Sequence, residues 1–518
     1  MRSVRLVHFL FSLVLGLFWV NVHASAAIVY TQNGPVRGVL QGQVESFKAL
    51  PFAAPPVGKL RWMPPQEPAN WTGIRDASHF SSKCPQERPD GVFIGIEDCL
   101  YLNVFKPSGA SALPVIVFVH GGSLISGSAS LTSPNMVAVY DGSRLAENAN
   151  VVVVTLNYRL GPLGFISHPK LSAASGYGGS GNYAYLDQIQ ALKWVQGNIA
   201  AFGGDPNNVT LFGHSAGATS VWVQMSSPLS KGLFHRAIVH SGVKEGAKPL
   251  SLAEQKGSEL SAKLNCSDAA GDLELACMRD KSAKEIVEIM PDVAGSGYYG
   301  AVVDGSVLTD SPIAIMGRGQ HHHVPIIQGN AEEEMSVIGE AASKDIKTKE
   351  DYFRAISAEV SNIGASAVEL LRLYPISKYR SPRQAYNAIE ADRQYICPSR
   401  RILRAISAHQ TEFVGRFFYT HVYSDGPTVK YGASHGFDLL FVFDKLSGEE
   451  FSPTADEAAL VKTFQDTWSI FARTGTPPAS WKRYDGQVDN YVTFDTPMSE
   501  GDHLHEQLCN YWDTLPHP

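Results

Sequence analysis

The pentapeptide Gly213-His214-Ser215-Ala216-Gly217 follows the β-type run 208–212 and leads into the small residues Ala218, Thr219 and Ser220. That order reads as a strand turning abruptly into a helix with a serine at the apex. A serine hydroxyl is a weak nucleophile and must stand clear of its own backbone; glycines two positions to either side remove side chains that would collide in so tight a turn. Ser215 is therefore the expected nucleophile, with His214 next to it. The pattern has a second literal match, Gly432-Ala433-Ser434-His435-Gly436. It follows the polar stretch 424–430 instead of a strand, and the bulky Phe437, Leu439 and Leu440 come after it, so context assigns the turn to Ser215.

Attack by a serine on a carbonyl places negative charge on oxygen, which needs hydrogen-bond donors waiting for it. His120-Gly121-Gly122-Ser123 comes directly after the apolar run 115–119, and its glycines let backbone N–H groups approach a substrate; Ala216, next to the serine, supplies another amide. The serine also needs a base, and of 17 histidines the best placed is His435 in Ser434-His435-Gly436-Phe437-Asp438. An acid must orient that imidazole and steady it once charged. Glu332, Glu333 and Glu334 follow a strand and its exit loop, and spacing alone does not choose among them. The run His321-His322-His323 lacks the i, i+4 spacing of a helix-borne metal site and is read as binding none.

These groups need a frame. Residues 115–119, 151–157, 209–212, 237–240 and 324–327 are short β-branched runs, the signature of parallel strands buried on both faces. Helical patterns lie between them, the clearest having Leu186, Ile189, Leu192, Val195 and Ile199 on one stripe before a stop at Gly203-Gly204-Asp205-Pro206. The expectation is an α/β fold: a central, mostly parallel sheet flanked by helices, with the site at the strands' carboxyl ends. Beyond about residue 336 the pattern is mostly helical, with a late strand over 413–422.

Arg2 and Arg5, the apolar run 6–20 and the small residues Ala24-Ser25-Ala26 have the form of an export signal over 1–26. No later stretch is long and apolar enough to span a membrane. Without a linker, repeat or low-complexity tract, 27–518 reads as one large domain, placed outside the cytoplasm as a secreted or periplasmic protein. Six cysteines in an exported chain point to three disulfides, with Cys84–Cys99 and Cys266–Cys277 closing short loops and Cys397–Cys509 tying down the C-terminal segment. The 43 basic and 50 acidic residues are spread without long runs, so no basic stripe suggests nucleic acid.

The chain resembles the type-B carboxylesterase family of α/β-hydrolases nearly end to end. The similarity is carried by 47–58, by Glu97-Asp98-Cys99-Leu100-Tyr101-Leu102-Asn103-Val104, and by Asn157-Tyr158-Arg159, Gly181-Asn182-Tyr183, Asp187-Gln188 and Phe202-Gly203-Gly204-Asp205-Pro206. The resemblance implies that the acid lies five residues after Gly329, which selects Glu334. It thus implies a triad of Ser215, Glu334 and His435, an oxyanion hole of Gly122, Ser123 and Ala216, and a supporting serine at Ser241. The cysteine pairs above also agree with the family's pattern.

Three departures bear on substrate. His214 stands where many members have a glutamate, the 84–99 loop lacks the tryptophan with which cholinesterases hold quaternary ammonium, and Ser123 replaces a common third glycine. The expected protein is a secreted serine carboxylesterase acting on neutral, short to medium esters through an acyl-enzyme on Ser215, with a small-molecule ester as partner and no cofactor. The aliphatic Val337 and Ile338, just past Glu334, read equally well as pocket wall and as core. The alternatives are a non-catalytic recognition protein on the same scaffold and a lipase acting on longer chains.

Overall fold

The computed structural model describes residues 24–131, 139–242, 246–267, 273–289, 299–424, 429–446 and 452–516. Among the described residues the main sheet has thirteen strands, twelve of them along one path: β1 (Ala24–Tyr30), β2 (Pro35–Gln41), β3 (Val44–Pro51), β4 (Tyr101–Pro107), β5 (Leu113–Val119), β6 (Val152–Leu156), β7 (Gly204–His214), β8 (Arg236–His240), β9 (Ile326–Ala331), β10 (Val414–Tyr419), β11 (Tyr491–Phe494) and β12 (Ser499–Gly501). Their spatial order is β1-β2-β3-β4-β6-β5-β7-β8-β9-β10-β11-β12, and the short strand Arg75–Asp76 pairs with β2. Pairing is parallel from β6 to β11 and antiparallel at both ends, so the sheet is mixed, with a parallel centre.

The central strands read as apolar runs because both faces are covered. Along β5, Val115, Val117 and Val119 enter one core, whereas Ile116 and Phe118 enter the other. The first core holds helices α1 (Tyr183–Asn198) and α2 (Ala216–Ser226). The second holds α3 (Asp438–Val442) and α4 (Ala455–Thr474), with Phe464 and Trp468 fully buried. A third apolar cluster gathers the helical C-terminal part around Tyr352, Tyr374 and Trp512.

The late strand is Val414–Tyr419, shorter than the 413–422 expected, and β9 begins two residues later than its apolar run and continues through Gly329 and Asn330. The expected export signal lies mostly outside the described residues; Ala24, Ser25 and Ala26 belong to β1. Disulfides join Cys84 to Cys99, Cys266 to Cys277 and Cys397 to Cys509. Among the described residues no helix is long and apolar enough to cross a membrane.

Candidate active site

β7 ends at His214 and α2 begins at Ala216, leaving Ser215 alone to make the turn. Its φ of 57° and ψ of -124° are a conformation that non-glycine residues rarely adopt. The turn closes because Gly217 has no side chain: a Cβ there would lie 2.0 Å from the carbonyl oxygen of Val119. The Ser215 amide donates to the carbonyl of His240 at the end of β8 (2.9 Å), and its carbonyl accepts the amide of Thr219 (2.9 Å). The hydroxyl thus stands at the carboxyl end of the parallel strands, on a rigid pedestal.

The loop after β5 comes close to that hydroxyl. A Cβ on Gly121 would sit 2.8 Å from Cβ of Ser215. Gly122 has φ 114° and Ser123 φ 55°; Ser123 takes the left-handed form despite its side chain. Among the described residues the amides of Gly122, Ser123 and Ala216 donate to no protein acceptor. Free amides beside a serine hydroxyl are the donors that an oxyanion on an attacked carbonyl would need. The loop is braced by Tyr158, whose hydroxyl donates to the His120 carbonyl (2.7 Å) and whose ring stacks on that imidazole at 4.4 Å.

Glu334 is fully buried, and its Oε2 lies 2.5 Å from Nδ1 of His435. Its other oxygen accepts the amide of Ala331 (2.9 Å) and the side-chain amide of Asn330 (3.3 Å). Burial separates the three glutamates that spacing could not: Glu332 is exposed, and Glu333 is half-buried and paired with Arg380. Ser434 of the second pentapeptide is buried; its hydroxyl accepts the amide of Val337 (3.2 Å), and its backbone bridges to Glu333, tying the histidine loop to the acid loop. Ile338 is 45 % exposed and belongs to no core.

Ser215 and His435 are linked through His214, the residue directly before the serine. Its ring lies 4.5 Å from that of His435, and Cβ atoms added to Gly121 or Gly436 would press on it at 3.3 and 3.1 Å. No hydrogen bond joins Ser215 Oγ to His435 among the described residues; in resting hydrolases this bond is commonly long and tightens on substrate binding. Ser241, at φ 53°, donates its amide to Gly329 (2.8 Å), and its buried hydroxyl has no partner among the described residues. The rings of His321, His322 and His323 each have a separate partner, Gln410, Ser227 and Gly319.

Matched over residues 25–512, the chain fits the model of the carboxylesterase family. It belongs to that family. The carboxylesterase is 35% identical over 498 residues to a fumonisin B1 esterase of Sphingopyxis macrogoltabida, covering 92% of this chain and 87% of that protein. It is 33% identical to an acylcarnitine hydrolase of Rattus norvegicus, covering 98% and 95%. The solved structure of a PNB esterase superposes with a TM-score of 0.78 at 29% identity, covering 94% of this chain and 99% of that one. The fold is the α/β-hydrolase fold, and the protein is a carboxylic ester hydrolase, not a non-catalytic recognition protein.

The places of three residues packed around His214 and His435 were not legible in the sequence. Tyr395 lies in a single π-helical turn, Asp392–Ile396, and sets its ring 5.2 Å from His435. Such turns commonly occur at functional sites. The other two are His240, the register partner of His214 on the neighbouring strand, and Asp438, joined to it at 2.5 Å.

Two buried histidines, one at the start of the Gly121-Gly122 loop and one directly before Ser215, also make the fold acid-sensitive. Burial holds His120 down to about 4. Burial, reinforced by the neighbouring His435, holds His214 well below its usual value. In the unfolded chain both titrate near 6.5, so below that pH the unfolded state binds protons that the native state refuses. Stability from this source is complete above pH 6.5 and falls as pH drops toward 4. Melting temperature measured across that window is expected to decline, and His214→Gln to flatten the decline by one proton's linkage, about 1.4 kcal/mol per pH unit. An unchanged slope in that variant would refute the assignment.

Proposed function

We propose that this carboxylesterase is exported and hydrolyses neutral, short to medium carboxylic esters by way of an acyl-enzyme on Ser215. Three disulfides support an extracytoplasmic site of action. His435 takes the hydroxyl proton at Nε2 as Ser215 Oγ attacks the ester carbonyl, and Glu334 steadies the imidazolium through Nδ1. The amides of Gly122, Ser123 and Ala216 receive the oxyanion. Collapse of the tetrahedral intermediate breaks the ester C–O bond, and His435 returns the proton to the departing alcohol. Water, deprotonated by the same imidazole, then cleaves the acyl-serine and regenerates the hydroxyl.

The observation that carries this reading is the buried Glu334–His435 pair, linked through His214 to a serine held in a strained turn. Selectivity for neutral substrates rests on His214, an uncharged ring where a carboxylate would attract cations, and on an 84–99 loop without tryptophan. Gln86 of that loop is instead bonded in both directions to the backbone of Gly127, beyond the oxyanion loop (2.8 Å each way).

The test is a panel of p-nitrophenyl esters, choline esters and long-chain glycerides, with organophosphate labelling of the purified protein. Expected are turnover of short to medium neutral esters, little turnover of choline esters, and an adduct on Ser215. An adduct elsewhere would overturn the mechanism. A rate that rises only above the solubility limit of glycerides would overturn the substrate range in favour of a lipase.

A further inference from the structure

The segment that carries His435 also carries Asp438, and Asp438 makes a second carboxylate–imidazole contact. Its Oδ2 lies 2.5 Å from Nδ1 of His240, with both side chains almost fully buried. The His240 ring is boxed by Phe212 (4.8 Å), Phe417 (4.8 Å) and Trp468 (5.3 Å). Asp438 is subject to a burial cost that would raise its carboxyl, yet the facing His240 and the nearby His214 and His435 bring it below the usual range. It is therefore a carboxylate set against an imidazole that is itself boxed by aromatic rings.

A buried carboxylate–imidazole pair is a poor way to gain stability, because an apolar pair of the same bulk serves as well or better. What such a pair can do is specify geometry, and here the connections are unusual. The backbone carbonyl of His240 accepts the amide of Ser215 (2.9 Å), while its side chain grips Asp438, three residues beyond His435. One residue thus holds the nucleophile through its main chain and the histidine loop through its ring. At the other end of that loop Ser434 is tied to Val337, and between them Tyr423 donates to the Phe437 carbonyl (2.8 Å). Among the described residues, the His240 link is the side-chain hydrogen bond from this loop to the strand whose carbonyl holds the Ser215 amide.

We propose that His240 and Asp438 are positioning residues that fix the height of the His435 imidazole above Ser215. The proposal rests on Ser215 and His435 being nucleophile and base. A displacement of about 1 Å at a reacting pair costs on the order of a hundredfold in rate.

The decisive variant replaces the pair with apolar side chains, His240→Met with Asp438→Val. Expected are native melting behaviour, KM within about twofold, and kcat and the rate of phosphorylation by diethyl p-nitrophenyl phosphate both lower by about ten- to a hundredfold. Asp438→Asn keeps an oxygen for the ring N–H and is expected to stay within about threefold of wild type, since geometry and not charge is at stake. Wild-type kcat in a natively melting apolar variant would overturn the proposal, as would an Asp438→Asn variant as slow as the apolar pair. Should the double variant not fold, His240→Gln, whose amide can still donate to Asp438, is compared with His240→Met: only the second should lose kcat, and equal rates would refute the tether. Failure of the wild type to label at Ser215 would instead sink the mechanism itself, whatever the variants do.

Discussion

Replacement of Ser215 by alanine is expected to lower kcat by about six orders of magnitude while leaving KM nearly unchanged. The size follows from the division of labour at the site. Without the hydroxyl no acyl-enzyme forms, and what remains is an oxyanion cradle and a binding pocket, together worth roughly a thousand- to ten-thousandfold over water. His435→Ala should cost about as much, and the double variant little more, because nucleophile and base act in one step. Alanine keeps the strained backbone of Ser215, at φ 57°, so folding is preserved. Ser215→Gly should be equally inactive but more stable, by about 1 to 3 kcal/mol, because glycine relaxes that strain. Parallel ester turnover and thermal melting on the three proteins measure this, and a serine-free variant turning over within a hundredfold of wild type would refute Ser215 as nucleophile.

How far such a site can be read before the fold is known depends on whether its residues act locally. The turn at Ser215 was legible because its requirements lie within five residues. The buried centre of the sheet was legible because strands covered on both faces are mostly apolar, even though single buried polar residues such as His240 and Arg416 interrupt them. β3 was not assigned, although it is almost wholly buried: Glu45 breaks its apolar pattern and is neutralised by Lys106 on β4, 2.8 Å away, a pairing across 61 residues. β9 outruns its apolar stretch because Gly329 lies under the ring of Phe417, where a Cβ would come within 2.3 Å. Phe417 belongs to a strand nearly ninety positions later.

The same division runs through the pocket. Several motif residues that carry the family resemblance are structural clamps: Arg159 and Asp187 form a buried bidentate pair (2.7 and 2.8 Å), and Arg61 grips Glu97 (2.5 Å). They hold loops in place and are informative as a pattern because loops so clamped must stay put. His240 and Asp438 are 198 residues apart, and nothing in either neighbourhood announces the other. The three glutamates show the intermediate case, in which local sequence narrows the choice and burial completes it.

Burial also fixes what happens when the acid loses its charge. Glu334→Gln is expected to lower kcat about ten-thousandfold with little change in KM. The side chain would occupy the same space, but its two ends are no longer alike. One end must accept the amide of Ala331, 2.9 Å away, and the nearby Asn330 amide, which only an oxygen can do. That leaves the NH₂ group facing His435 Nδ1 at the present 2.5 Å contact. A donor there forces Nδ1 to be the acceptor and puts the ring proton on Nε2, the nitrogen that must be free to take the proton of Ser215. Flipping the amide would repair the tautomer but set N–H groups against each other in a fully buried site, at a cost of about 1 to 3 kcal/mol. The variant is thus held in the wrong tautomer by the backbone of β9. Steady-state kinetics at neutral pH test this. A Glu334→Gln enzyme within tenfold of wild type would mean that the imidazole is oriented by another group, and Glu334 would lose its place in the mechanism.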